Sequence, residues 1–527
     1  GPGEFHPNKP PGTTLLAVPA YWLIYHFEKW RGMNPDDWWT LTVNAWLTSA
    51  LSVGLIAAFG CVVFFRLARE MAGGKSLPAL LATLAFAFGT TYFPFGTLFF
   101  DHDLTAVFLL ISFACLWRVR GMERPSPGPV MLAGACAGIA AITNYIAAGA
   151  GAIIAVYALW GTLSVNGKMR WNWRALGWFT VGVMPLFIVI CAYDWVNFGS
   201  PFKLANDFQN PLFKDQNALL GMFVVPQHVE DFVRLGYIAG LLSVSPYRGV
   251  FFLAPVLLMG CCGLVLWMIQ KKHIAEVRLC IAIFGFFFLV NVFFNGYHAG
   301  FSAGPRYLVP GLPFLALPLV AAFLSLRLRW LTAVLAVISI VQQTLLTATD
   351  AQNSLAVGGH ARVDDAHRKD DFLCQIVGEY AWPLFAHGRA WPVLEQLIAA
   401  RLDNEKTRLD EEGVAEPERK GRLAAMEKEL RDSIARGDSS PLILGAIRGP
   451  VSVNPIGVYD GLLIFTIFPA GSEQTDWNSF NAGEFFFPMQ RKSLLPLLII
   501  SGGLFAFLIV LARRRDQLSG SVSNPSA

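Results

Sequence analysis

Residues 40–65 read TLTVNAWLTSALSVGLIAAFGCVVFF, and the next residue is Arg66. The run contains no Asp, Glu, Lys or Arg. A helix that crosses the hydrocarbon core of a bilayer needs about 20 predominantly apolar residues, and this run supplies them without help from its flanks. Lipid offers no water to backbone N–H and C=O groups, so such a run crosses as a helix with its hydrogen bonds made internally. The same criterion finds further runs at 78–99, 102–117, 130–144, 145–162, 175–198, 249–269, 279–296, 306–325, 330–348 and 493–512. The fold expected is an all-α integral membrane bundle of about eleven transmembrane helices. The pair at 130–162 turns at Asn144-Tyr145, as a sharp reversal or as two half-length helices buried in protein.

Composition points the same way. The 527 residues are 54% hydrophobic and 15% charged, where a soluble domain carries about 25% charged residues. A folded core cannot absorb that much apolar sequence, but lipid can. Aromatic residues make up 13%, with 16 Trp suited to membrane–water interfaces. Seven of the 8 cysteines lie in apolar runs and read as small fillers, not as a disulfide framework or a metal site. The net charge of +4 comes with no basic, aromatic-interleaved soluble segment, so no nucleic-acid partner is expected.

Lys and Arg orient the spans. One set of connections holds Arg66, Arg69 and Lys75, then Arg118, Arg120 and Arg124, then Lys168, Arg170 and Arg174, then Lys271, Lys272 and Arg278, then Arg327 and Arg329, and finally Arg513 to Arg515. The short connections around 100, 145 and 297–305 hold none before Arg306. That alternation puts the first set in the cytoplasm. Residues 1–38, 199–248 and 349–492 then lie outside. The expected organisation is a multi-span domain over 1–348 with an outer-face site, an extracytoplasmic loop region over 349–492, a last transmembrane helix over 493–512 and a cytoplasmic tail over 513–527. In the loop region, 394–436 reads as exposed amphipathic helix and 441–490 as packed loop. An outside start with no signal segment implies an upstream helix and twelve spans.

Four motifs project to the outer face. In His6-Pro7-Asn8-Lys9-Pro10-Pro11-Gly12 the prolines fix an extended backbone, and the lysine either pairs with a phosphate or snorkels to the interface. In Phe99-Phe100-Asp101-His102-Asp103-Leu104 two carboxylates and an imidazole crowd a tight turn. They serve acid–base or metal chemistry, or one Asp caps the following helix. Asn295 to Tyr307 is a Gly-rich loop ending in Arg306, a bidentate phosphate donor or an interface anchor. Ser243 to Gly249 carries Tyr247 and Arg248 at another helix mouth. No Walker loop, dinucleotide fingerprint or nucleophile elbow is present.

In this order and topology the chain resembles the GT-C class of membrane glycosyltransferases, which use a polyprenyl-phosphate sugar as donor. It is most similar to bacterial relatives of the protein O-mannosyltransferases and the aminoarabinose transferases. The residues that carry the likeness are Asn8 to Gly12, Asp101 to Asp103, Gly138 to Tyr145, Ser245 to Gly249, Gly304 to Tyr307 and Asn481 to Glu484. The resemblance implies that Lys9 contacts the donor phosphate and that Asp101 or Asp103 belongs to the active site. It places the principal acid upstream of the lysine motif, where this chain offers only Glu4. The expected activity is inverting transfer of a hexosyl or pentosyl group to a glycan, lipid or protein acceptor at the outer face of a bacterial plasma membrane. Asp101, His102 and Asp103 are the catalytic candidates, Lys9, Arg306 and Tyr307 the phosphate ligands, and His298, Arg248 and Tyr247 further substrate contacts. No cofactor is expected with certainty, and a divalent cation at Asp101 and His102 stays open. The competing readings are a transporter or flippase of lipid-linked sugars, which needs polar residues at midmembrane, and a non-catalytic scaffold.

Overall fold

A computed structural model of the chain describes residues 9–35, 38–120, 122, 124–160, 164–165, 168–169, 171–203, 222–246, 248–294, 296–297, 304–349, 402, 405–406, 408–410, 412–435, 451–452, 463–469, 478–481 and 495–522. Among these residues the architecture is nearly all helical. Five helices are long and apolar enough to cross a membrane: Val43–Met71, His102–Val119, Trp173–Phe198, Ile274–Phe293 and Arg329–Thr347. Shorter apolar helices, Ser76–Gly89, Pro127–Thr143, Ala147–Leu159 and Val256–Ile269, pack among them, and a last helix runs Leu495–Val522. The chain is a multi-pass helical membrane protein.

Three of the expected spans are broken. The 78–99 run stops at Gly89 and resumes as Tyr92–Gly96. The 249–269 run is divided into Val250–Leu253 and Val256–Ile269 around Pro255. The 306–325 run opens with a 3-10 turn, Arg306–Gly311, and continues as Leu312–Ala316 and Leu319–Leu324. Prolines at 94, 255, 310, 313 and 318 remove backbone donors and cannot continue a regular helix. Interrupted backbone survives at this depth because protein supplies its partners. Gln343 Nε2 donates to the Leu253 carbonyl at 2.7 Å, and Ser339 Oγ accepts from the Val256 N–H at 3.0 Å. Ser339 and Gln343 stand four residues apart on one helix and so share a face.

Two stretches differ from the sequence reading. Residues 199–248 carry no span in that reading, yet Val229–Val244 is a helix that buries Leu235, Ile238, Leu241 and Leu242 against Val292 and Tyr297. The 441–490 stretch, read as packed loop, contains the strands Val451–Ser452, Leu463–Pro469 and Asn478–Asn481, paired antiparallel with Leu463–Pro469 in the middle. Its β-branched and aromatic residues suit a strand. Part of 394–436 forms the exposed helix Glu416–Ala435, which is predominantly polar and not amphipathic over its length, and in which Glu416–Lys420 and Glu418–Arg422 pair at 2.7 Å. Most of 349–492 lies outside the described residues.

The two sets of connections gather at opposite ends of the bundle. At the Lys/Arg-rich end Arg120 donates to Glu276, which also accepts from Tyr157 Oη at 2.7 Å. Glu70 accepts from Trp117 Nε1 at 2.9 Å. The Asp516 carboxylate of the last helix accepts from the Ser76 and Leu77 N–H groups at 2.6 and 2.8 Å. Residues from four of the basic connections thus meet one another, as the charge alternation requires. Helices approach through glycine: β-carbons at Gly134 and Gly182 would collide with the Phe179 and Met131 carbonyls, the close packing that small residues allow in lipid.

The helix Gly12–Trp30 stands outside the spanning set and is fixed at its far end by a buried polar chain. Asn44 Nδ2 donates to Glu28 Oε2 and Thr48 Oγ1 donates to Asn44 Oδ1, both at 3.1 Å. Burial pushes the Glu28 carboxyl up, against a smaller opposite pull from Asn44. A raised carboxyl favours the folded state while protonated, and that contribution is lost as pH rises through the carboxylate range. Glu28→Gln keeps the Asn44 hydrogen bond and removes the buried charge. It should therefore raise thermal stability at neutral pH by about 1 kcal/mol, with the gain disappearing in acid. A pH series of melting curves on both proteins checks this; a gain that persists in acid would contradict it.

Candidate functional site

The site is built at the end of the bundle away from the basic connections. Asp101 directly precedes the helix His102–Val119, and its backbone is already helical, with φ −78 and ψ −17. A residue in that conformation does not fold its side chain over the first N–H groups, and the Asp101 side chain makes no capping bond. Its carboxylate turns instead to Asn144, whose Nδ2 donates to Asp101 Oδ2 at 2.6 Å. Asn144 Oδ1 accepts from the Ile146 N–H at 3.0 Å, which fixes which end of the amide faces the acid. The other carboxylate oxygen lies 3.6 Å from His102 Nδ1, and the Asp101 side chain is 25% exposed against 3% for His102. Asp101 is the reachable member of the pair.

The lysine motif docks on the same helix end. A β-carbon at Gly12 would stand 2.6 Å from the Ile142 carbonyl oxygen and the Thr143 nitrogen, so only glycine lets Pro10-Pro11-Gly12 lie against the terminus that Asn144 follows. Lys9 is exposed there. The charges of Asp101, Arg306 and Lys9 all act on the His102 imidazole, which places residues from three separate parts of the chain around one turn.

Arg306 opens the 3-10 turn. Its guanidinium lies 5.3 Å from the centre of the Phe100 ring and 5.2 Å from that of Tyr307. Nη2 donates to Tyr307 Oη at 3.4 Å, while the buried Nε has no acceptor among the described residues. Tyr307 meets His102 edge-on at 5.7 Å, and His102 stacks on Phe100 at 5.8 Å. A flat cation is held between aromatic faces with donor capacity left over, beside a reachable carboxylate. Arg248 is 1% exposed and buttresses this arm: Nη1 donates to the Gly304 carbonyl at 3.3 Å, the same oxygen that accepts from the Arg306 N–H at 3.1 Å. Gly304 has φ +70, a conformation that glycine adopts without strain.

Asp103 does not join the group. It is fully buried, with both carboxylate oxygens lacking a hydrogen-bond partner among the described residues. Its neighbours are Gly96, Cys61 and Tyr92, on the side of the helix away from Asn144. Neither aspartate therefore caps the helix, contrary to the capping alternative. Asp103→Asn should keep turnover within about threefold, since no reacting group contacts it. Asp103→Leu should raise thermal stability by roughly 1–3 kcal/mol by removing an unpartnered buried carboxyl. Rates and melting curves decide; a loss of turnover in Asp103→Asn equal to that of Asp101→Asn would reverse the two roles.

Tyr247 and His298 lie outside the described residues. Among the described residues no group of three His, Cys, Asp or Glu side chains could hold a metal ion, and Asp101 with His102 offers two ligands. Asn144, read from sequence as a turn marker and as part of the Gly138 to Tyr145 likeness, is not among the site candidates of that reading. An Asn in a tight connection after a Gly-rich helix signals a turn, and only the fold shows what its amide faces.

Together these features define a multi-pass helical membrane protein with a partly accessible carboxylate–cation–aromatic cluster at one end of the bundle. The sequence matches no protein-family profile, and no characterised protein aligns with it. Among solved structures, the chain is similar to the crystal structure of ArnT from Cupriavidus metallidurans bound to undecaprenyl phosphate. The match has 17% identity and a TM-score of 0.41, over 84% of this chain and 70% of that one. A likeness that remote bears on neither substrate nor residue roles.

Proposed function

We propose that this protein is a GT-C-type membrane glycosyltransferase that moves a sugar from a polyprenyl-phosphate donor to an acceptor at the outer face of the plasma membrane. The observation that carries this reading is that Gly12, three residues after Lys9, packs on the helix end beside Asn144 while Arg306 lies over Phe100, so that both cations flank the turn that presents Asp101. A glycosyl phosphate already has a good leaving group. The chemistry then needs cations on the departing phosphate and a carboxylate beside the attacking hydroxyl. Arg306 supplies a fork with an unused Nε–H, Lys9 an exposed point charge, and Asp101 a base oriented by Asn144. The phosphate rests at the interface, and its tail stays in lipid. Attack from the face opposite the phosphate inverts the anomeric centre, and the proton of the acceptor hydroxyl passes to Asp101.

A flippase would need polar groups along a path through the bilayer. The buried Ser339, Gln343 and Leu253 contacts are structural links within broken helices and form no such path. Vesicles carrying the protein and a labelled polyprenyl-phosphate sugar separate the readings. Transfer to an externally added acceptor, without net movement of the intact lipid between leaflets, supports the transferase. Lipid movement without transfer supports the flippase, and neither event supports the scaffold.

A further inference from the structure

Asn291 stands two residues before the outer end of the helix Ile274–Phe293. It is fully buried, and neither its amide nitrogen nor its amide oxygen has a hydrogen-bond partner among the described residues. An amide in an apolar interior, unable to make either kind of bond, is strongly disfavoured, so such a group points to a partner that arrives with a ligand.

The fold shows where the amide faces. Positions 284, 287 and 291 share one side of this helix, and Phe294 directly follows its end. On that side Phe284 and Phe287 press on Gly311, whose β-carbon would stand 3.3 Å from Phe284 Cα and 3.5 Å from the Phe287 ring. Phe294 meets Tyr307 at 5.3 Å between ring centres. Asn291 lies between these two contacts, so it looks onto the 3-10 turn Arg306–Gly311, below Tyr307. The Tyr307 ring is in turn held by Arg306 and His102.

We infer that the Asn291 amide binds a pair of sugar hydroxyls, those of the donor sugar, beneath the aromatic cluster. This rests on the transferase reading, which puts the donor phosphate at Arg306. A sugar joined to that phosphate extends about one ring, on the order of 5 Å, which is also the rise of one helical turn and the step from the level of Phe294 to that of Asn291. Neighbouring hydroxyls ask for one donor and one acceptor, and a carboxamide presents both. Phe287 lies one turn before the amide, and Phe294 and Tyr307 meet edge-on beyond it. Asn291 is thus a specificity-determining residue in a span otherwise apolar at this level.

The test measures binding of two lipids to the purified full-length chain: polyprenyl phosphate without sugar, and the same lipid carrying a hexose. Asn291→Leu should weaken binding of the sugar-bearing lipid about tenfold, as expected for a site that loses its partner for a buried hydroxyl, and leave the sugar-free lipid unchanged. Asn291→Asp, nearly isosteric, carries the same comparison if the leucine variant does not fold. Equal loss for both lipids makes Asn291 a structural residue, and no loss for either removes it from recognition; both overturn the inference. Intact lipid binding with slowed transfer places the amide on an acceptor sugar and overturns the donor assignment. Failure of the unaltered chain to bind either lipid sinks the transferase reading and this inference with it. Selective binding by the unaltered chain that persists in Asn291→Leu sinks the inference alone.

Discussion

Asp101→Asn is expected to abolish sugar transfer while the protein folds normally. The substitution keeps size and shape, and an Asn at 101 can still accept from Asn144 Nδ2 through its amide oxygen, so the turn holds. What disappears is the negative charge and the capacity to take a proton. A positioned general base contributes about 10²–10⁴-fold in rate, and loss on that scale is expected. The exposure of Asp101, the fixed orientation of Asn144 and the adjoining His102 make this the side chain able to meet an incoming hydroxyl. Steady-state transfer rates, alongside unchanged helicity and melting temperature, check the prediction. A rate within about tenfold of the parent protein would remove Asp101 from the chemistry.

The second large effect falls on donor binding. Arg306→Ala should weaken the affinity for polyprenyl phosphate by roughly 10- to 150-fold, the range for losing a charge-assisted hydrogen bond in a partly buried site. Lys9→Ala should act in the same direction with a smaller effect, because Lys9 is exposed and its field is screened by water and salt. Lys9 and Arg306 outnumber the single Asp101 carboxylate at this turn and repel each other. At about 4 Å and an effective dielectric near 20 the repulsion is about 4 kcal/mol, and a bound phosphate converts it to attraction. The two substitutions should therefore be non-additive, the double variant losing less than the sum of the singles. Lys9→Arg should restore binding only in part, since a planar fork does not replace a point charge, and Arg306→Lys should fail for the converse reason and for loss of its contacts with Phe100 and Tyr307. Calorimetric titration of the purified variants with polyprenyl phosphate is the measurement. Unchanged affinity in both alanine variants would end the phosphate-site account.

Much of the fold is legible in the sequence because lipid imposes a simple rule. Residues 40–65, 102–117, 175–198, 279–293 and 330–348 are long and nearly free of charge, and each is helical in the expected place. The alternation of basic connections is equally legible, and Arg120 with Glu276 and Ser76 with Asp516 bear out the shared end. The same rule does not report interruptions. Hydropathy sums to the same value whether 249–269 is one helix or two, and the break at Ala254-Pro255 depends on Gln343, 90 residues away, to satisfy the Leu253 carbonyl. The Val229–Val244 helix went unseen because its charged first turn, with Glu230 and Asp231, lowers its hydropathy.

The site shows a similar division. The residue types at Lys9, Asp101, His102 and Arg306 are readable as chemistry, since prolines, glycines and charges in short connections have local causes. Their partners are not. That Asp101 and not Asp103 faces the cluster follows from two helical steps around the axis, which a turn of three polar residues leaves undecided. That Gly12 exists to let the lysine motif touch Ile142 and Thr143 requires the packed structure. Asn291 is a lone polar residue in an apolar run, a pattern more often structural than functional until its amide is seen without a partner.

The central claim is that the Lys9–Asp101–Arg306 cluster transfers a sugar off a lipid phosphate. Its most direct test incubates the purified full-length protein with a panel of polyprenyl-phosphate sugars, alone and with candidate glycan, lipid and protein acceptors, and measures the polyprenyl phosphate released. The account predicts that at least one donor yields polyprenyl phosphate in step with glycosylated product, and that Asp101→Asn abolishes both. No release from any donor by a protein that binds them, or release undiminished in Asp101→Asn, would contradict it.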